Sequence, residues 1–299
     1  MNPYTYETLL SDIAALRRTY PFIETGYIGR SALGGVIPYI RLGVGLKEVC
    51  YCAAFHANEW LTAPVLMRFA ENFLRAYAAN GLIQNFSARA IFRDVSIYIV
   101  PMVNPDGVDL VTGAYAPGST LYNAARNIAA RFPDIPFPNG WKANLDGTDL
   151  NRQFPANWDD AKALANATGF TVPAPRDYPG EFPLSAPEAR AVYNFTRAHR
   201  FSLVLSYHSQ GRVIFWRYLN YFPQGSLDIA RKLADASGYD LEDSPYSYAG
   251  YKDWFIQDYN RPGFTIEVGL GENPLPVEQF PQIYRENEPV LVLAALLAA

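Results

Sequence analysis

Cysteine and histidine are scarce: two Cys and three His in 299 residues. Two thiols exclude a disulfide framework. Cys50 and Cys52 are i and i+2 in the strand-like run EVCYCAAF, so they point to one face, a poor geometry for bridging each other. No other soft ligands surround them, which excludes a thiolate metal site. Two unbridged thiols fit a reducing compartment. The run PVLVLAALLAA near the C-terminus is apolar but too short to span a bilayer. The first twenty residues lack a basic leader, an apolar core and a small-residue cleavage site, so no signal peptide is expected and the location expected is cytoplasmic. Strong charge of either sign is also missing. The net charge is −4, no basic run points to nucleic acid, and no polybasic amphipathic helix points to a membrane surface.

What is present is a globular composition, about half apolar and rich in Tyr and Phe. No repeat, charge block or low-complexity linker divides the chain, so a single domain over 1–299 is expected. An amphipathic pattern predicts a first helix over residues 5–19. Strand-like runs follow at 27–28, 36–42 and 48–55. A long helix is expected after Asn58, with Leu61, Val65, Phe69 and Phe73 along one face. A strand is predicted over 95–103. Residues 104–183 are rich in Pro and Gly and carry little periodicity, which marks either loops or function. Ser185-Ala-Pro-Glu188 reads as a capping box opening a helix that runs to His199. Strands at 203–207, 213–218 and 264–268 alternate with helices at 226–237 and near 251–258, before a terminal helix. Strands alternating with long helices predict an α/β fold, a mixed, largely parallel twisted sheet with helices on both faces.

Two of the three histidines end apolar strands. His56 follows CYCAAF and is followed by Glu59 in the turn opening the next helix; His208 ends the run LVLSYH. In a parallel α/β sheet, ligands bind beyond the carboxyl ends of strands. An i, i+3 imidazole–carboxylate pair there can converge on one ion, and that donor chemistry suits zinc. The third, His199, lies near the end of a polar helix and reads as an exposed residue without a role. Glu267, flanked by Ile266 and Val268, is a carboxylate in an apolar strand. It needs a partner or a task, and beside a metal it could move a proton. In Gly147-Thr-Asp149-Leu-Asn151-Arg152, Arg152 offers a fork for a carboxylate. Asp149 could accept the outer N–H of a ligating imidazole. Each motif alone has an ordinary structural explanation.

Together, H-x-x-E (His56, Glu59), N-P-D-G (Asn104–Gly107), G-x-D-x-N-R (Gly147–Arg152), the strand-end His208 and the T-x-E strand (Thr265, Glu267) stand in the order of the zinc carboxypeptidases. The chain resembles that family, the carboxypeptidase A type, from about His56 to Gly269. The phrases GWKAN before GTDLNR and AGYKDW further on resemble its bacterial γ-D-glutamyl-L-diamino acid endopeptidases, which cut peptidoglycan stem peptides.

The resemblance implies Zn²⁺ held by His56, Glu59 and His208, the His₂Glu set of carboxypeptidase A itself. It implies Glu267 as general base, Asp149 orienting the first His, and Asn151 with Arg152 binding a substrate carboxylate. Lys142 stands where the family usually has an Arg that polarises the scissile carbonyl. Tyr246, in preference to Tyr248, matches a mobile substrate-side tyrosine. Lys252 matches the base of the pocket that selects the residue after the cut, where a cation suits a carboxylate-bearing side chain. The partner implied is a peptide or peptidoglycan fragment, with no nucleic acid and no membrane span. A zinc deacylase of N-acyl amino acids and a turnover-free binding module are the alternatives; a pure binder has no need of Glu267.

Overall fold

The computed structural model describes residues 2–243 and 248–298. Its strands are β1 (Glu24–Arg30), β2 (Val36–Leu42), β3 (Lys47–Ala53), β4 (Leu82–Ile83), β5 (Phe86–Ser87), β6 (Val95–Val100), β7 (Phe201–His208), β8 (Val213–Phe215), β9 (Asp240–Glu242) and β10 (Gly263–Glu267). The helices are α1 (Tyr6–Thr19), α2 (Thr62–Ala78), α3 (Ala88–Asp94), α4 (Pro105–Val111), α5 (Thr120–Ala129), α6 (Trp158–Ala167), α7 (Pro187–Ala198), α8 (Ser226–Ser237), α9 (Tyr251–Tyr259) and α10 (Phe280–Leu297).

Eight strands form one sheet in the order β1-β2-β6-β3-β7-β10-β8-β9. The pairs β6–β3, β3–β7, β7–β10 and β8–β9 are parallel; β1–β2, β2–β6 and β10–β8 are antiparallel. The mixed, largely parallel sheet expected from the alternation is therefore present. Helices cover both faces because the central strands are apolar on both. Along β3, Val49, Tyr51 and Ala53 join the core built with α2, α8 and α10. Cys50 and Cys52 face the opposite core, with Trp254 of α9 and Val192 of α7. Their sulfurs lie 3.6 Å apart, both buried. Period-two alternation thus assigns each side chain its layer.

Beyond β3 the chain goes to β6 on one side, and later to β7 on the other. Such a reversal opens a crevice at the carboxyl ends of the strands, and His56 enters it. The N-P-D-G motif holds the floor. Asn104 Oδ1 accepts from the Gly107 amide at 3.0 Å, capping α4, while its Nδ2 donates to the carbonyls of Phe55 and Ala143. Gly107 is required, since a Cβ there would lie 2.6 Å from the Ala143 carbonyl oxygen.

Three expectations change. The stretch 104–183 is not without structure: α4, α5 and α6 lie in it. All three are short: α4 buries Val108 and Leu110 over seven residues, while the buried residues of α5 and α6 are alanines, Ala125, Ala129, Ala161 and Ala165. Ser185 does not cap α7. The cap residue is Ala186 with no side-chain bond, and Ser185 Oγ donates instead to Gln153. Glu188 reaches away to the Ala32 amide at 2.9 Å. His199 is half-buried, not exposed; it bonds Glu48 at 3.1 Å and stacks on Phe201.

Candidate active site

Three neighbouring parallel strands deliver the site. His56 lies just beyond β3, His208 ends β7 and Glu267 ends β10. Glu267 is the register partner of His208. Glu59 follows on one turn of 3₁₀ helix, Ala57–Glu59. That turn is tied down from both ends. Thr62 Oγ1 donates to the Glu59 carbonyl and accepts from the Ala54 amide. The amides of Ala57 and Asn58 donate to the carbonyls of Lys142 and Trp141.

The donor atoms of His56, Glu59 and His208 lie within 4.8 Å of one another. Nδ1 of His56 is 2.9 Å from Glu59 Oε1, and Nδ1 of His208 is 2.9 Å from Oε2. The two Nδ1 atoms approach to 3.2 Å. Two imidazole lone pairs and a carboxylate converging in a buried place repel one another unless a proton or a metal cation stands among them. The outer nitrogens are held for that task. His56 Nε2 faces Asp149 Oδ1 at 3.1 Å, and His208 Nε2 faces Ser206 Oγ at 3.0 Å. Phe55 stacks on the His208 ring at 5.8 Å, fixing its plane. Donor set, convergence and outer bonds all fit zinc.

Electrostatics follow from this crowding. Burial alone would lower His56, but the charges of Glu59 and Asp149 outweigh it and push it up to about 9. Glu59 sits well below the carboxylate range; burial opposes this, and His56 and Lys142 prevail. Burial lowers His208. Glu267 is pushed up to about 8 by burial and then by the Glu59 charge, against Lys142 and His56. A cation among the three donors draws such a carboxyl back down.

The remaining candidates divide. Lys142 joins the cluster: its ammonium is 2.9 Å from Glu59 Oε1. It shares a cleft of about 530 Å³ with Glu267, Asn58, Ser209 and Arg176. Arg152 lies on the other flank, with Nε and Nη2 on Asp177 Oδ1 at 3.1 and 2.8 Å. Asn151 Oδ1 accepts from the Tyr251 amide at 3.0 Å, so its acceptor opens α9. Lys252 does not offer the free charge expected of it. It is 3% exposed, and its ammonium lies 2.8 Å from Asp253 Oδ1 and 2.8 Å from the Arg217 carbonyl. A buried lysine needs such partners to offset desolvation. Tyr246 lies outside the described residues; Tyr248 is half-buried. Ser206, Arg176 and Asp177 were not singled out from the sequence. Only Ser206 left a signal, two residues before His208 and so on the same strand face.

A zinc carboxypeptidase model matches residues 9–289. The chain belongs to the zinc carboxypeptidase family. Among its relatives is γ-D-glutamyl-L-diamino acid endopeptidase 1 of Lysinibacillus sphaericus, 45% identical over 283 residues, which cover 95% of this chain and 70% of that one. The Bacillus subtilis protein YqgT is 36% identical over 96% of this chain and 76% of its own length. The crystal structure of thrombin activatable fibrinolysis inhibitor superposes with a TM-score of 0.76 at 21% identity, covering 98% of this chain and 73% of that one. It shares the fold. As a zinc carboxypeptidase, the chain is a zinc-dependent hydrolase. Among the described residues, no helix is long and apolar enough to cross a membrane.

Proposed function

We propose that this metallopeptidase hydrolyses the γ-D-glutamyl amide bond to a diamino acid, as found in peptidoglycan stem peptides. One observation carries the substrate class: 45% identity over 95% of the chain to an enzyme named for that bond. The site supplies the chemistry. Zinc in a His₂Glu set supplies Lewis acidity, which polarises a carbonyl and acidifies water. Glu267 takes a proton from the attacking water and delivers it to the leaving nitrogen. Water oxygen bonds to the acyl carbon, the C–N bond breaks, and an acid and an amine leave. Lys142, whose ammonium lies 2.9 Å from Glu59 Oε1, would meet the negative charge that grows on the carbonyl oxygen when Glu59 is committed to the metal. It does so as a point charge, without the two-pronged grip an arginine would give. Asn151, and Arg152 through the guanidinium nitrogen that Asp177 does not take, hold a carboxylate on the leaving side, which fixes the bond over the reacting groups.

The test is a comparison of three substrates with the zinc-loaded protein: a γ-D-glutamyl-diaminopimelate peptide, a plain peptide with a free C-terminus, and an N-acyl amino acid. The first should be cut with the highest kcat/KM. Preference for either of the others overturns the assignment.

A further inference from the structure

Arg176 stands in the wall of the catalytic cleft beside Lys142, Ser209 and Glu267. The Pro175 carbonyl, one residue earlier, accepts from the amides of both Lys142 and Ala143, at 2.7 and 2.9 Å. That clamps the Arg176 segment against Lys142. The guanidinium is held at one point: Nε donates to Asp177 Oδ2 at 2.7 Å. Among the described residues its terminal nitrogens have no acceptor, and the side chain is 43% exposed. Asp177 is itself fixed, because its other oxygen takes Arg152 and its amide donates to Asp149 Oδ2 at 3.1 Å. One carboxylate therefore anchors two guanidinium groups. Arg176 faces the cleft; Arg152 is absent from its lining. Asp134 and Glu272 also line the cleft, but both are exposed, and solvent screens their charge.

A γ-linked glutamyl residue differs from an α-linked one in a way this arrangement can read. Its α-carboxylate is free, and it hangs on the acyl side of the scissile carbonyl, separated from it by three carbons. We infer that Arg176 binds the free α-carboxylate of the γ-glutamyl residue, making it the specificity-determining cation of the acyl side. The assignment rests on the γ-glutamyl substrate proposed above. A guanidinium fork with two free nitrogens matches a carboxylate. A carboxamide in the same place presents one acceptor and no charge.

The experiment compares L-Ala-γ-D-Glu-diaminopimelate with its isoglutamine counterpart, in which only the α-carboxylate has become an amide. The free acid should be favoured roughly tenfold in kcat/KM, mostly through KM, as expected for a charge-assisted bond at a partly exposed site. Arg176→Gln should bring the acid-to-amide ratio close to one, and Arg176→Lys should leave it intermediate. Calorimetry on the wild-type protein gives a readout that needs no variant to fold: the product L-Ala-D-Glu should bind roughly tenfold tighter than L-Ala-D-isoglutamine. Equal rates on the two peptides, equal product affinities, or a ratio that survives in Arg176→Gln each overturn the assignment of Arg176 alone. Cleavage of an ordinary α-peptide with neither γ-glutamyl peptide touched overturns the proposed function, and this assignment with it.

Discussion

Replacing Ser206 by Ala removes one hydroxyl, 1% exposed, from the floor of the metal cluster. With Nδ1 of His208 turned toward Glu59 and His56, the ring proton belongs on Nε2, where it meets Ser206 Oγ at 3.0 Å. The variant leaves that N–H buried without an acceptor. The cost of such an orphan is about 1–3 kcal/mol. Where the outer bond also sets ring orientation and tautomer, its loss weakens metal binding about 10–100-fold. The two magnitudes agree, since about 1.4 kcal/mol is a factor of ten. Zinc affinity should therefore fall by that factor, measured by competition with a chromophoric chelator. Thermal stability of the zinc-free protein should move less than that of the zinc-loaded one, because the orphan matters most when Nδ1 is committed to the metal. Zinc affinity within twofold of wild type would show that Ser206 does not set the His208 tautomer.

Glu267→Gln should retain zinc and substrate affinity and lose kcat by roughly 10²–10⁴-fold, because it removes only the proton carrier; a variant within tenfold in single-turnover kinetics would move that role elsewhere. Lys252→Ala breaks the buried ion pair with Asp253 and the bond to the Arg217 carbonyl, and breaking such a pair costs about 3–5 kcal/mol. Its melting temperature should fall by several degrees, and an unchanged value would return Lys252 to the role of a free recognition charge. Burial pushes Glu188 from 4.5 to about 7, against the bonds from Ala32 and Asn144. The folded state then binds more protons than the unfolded one between those values, so stability should fall as pH rises from about 4.5 to 7 and level off above. The full loss is about 3 kcal/mol. Urea titrations of wild type and Glu188→Gln across that range should show the slope only in wild type; parallel curves would exclude Glu188 as its source.

The elements with strong periodicity were legible in the sequence. The boundaries expected for the strand at 36–42 and the helix at 226–237 coincide with β2 and α8. Both carry a clear apolar pattern that tertiary packing has no reason to override. The helices α5 and α6 were not read from the sequence: each is only ten residues long, and although α5 packs Leu121, Tyr122 and Ile128 on the core, one such face in a Pro- and Gly-rich stretch is too short to stand out. The expected capping box failed for a different reason. Ser185 and Glu188 both found partners distant in sequence, Gln153 and Ala32, and a local pattern cannot foresee a competing long-range acceptor.

The same division runs through the site. Motif order, and the family resemblance it carries, placed His56, Glu59, His208 and Glu267 in one centre, although each motif alone has an ordinary structural explanation. What tertiary structure alone decided is which charges remain available to a substrate. Lys252 and Arg176 look alike in the sequence, each a cation directly followed by an Asp. Folding buries Lys252 against Asp253, and leaves Arg176 half-exposed in the cleft with only one nitrogen held. A charge is available or neutralised according to its neighbours within about 4 Å and the water around it. The adjacent Asp is common to both; what separates them, the burial of Lys252 and its bond to the Arg217 carbonyl, comes from distant parts of the chain that no short motif encodes.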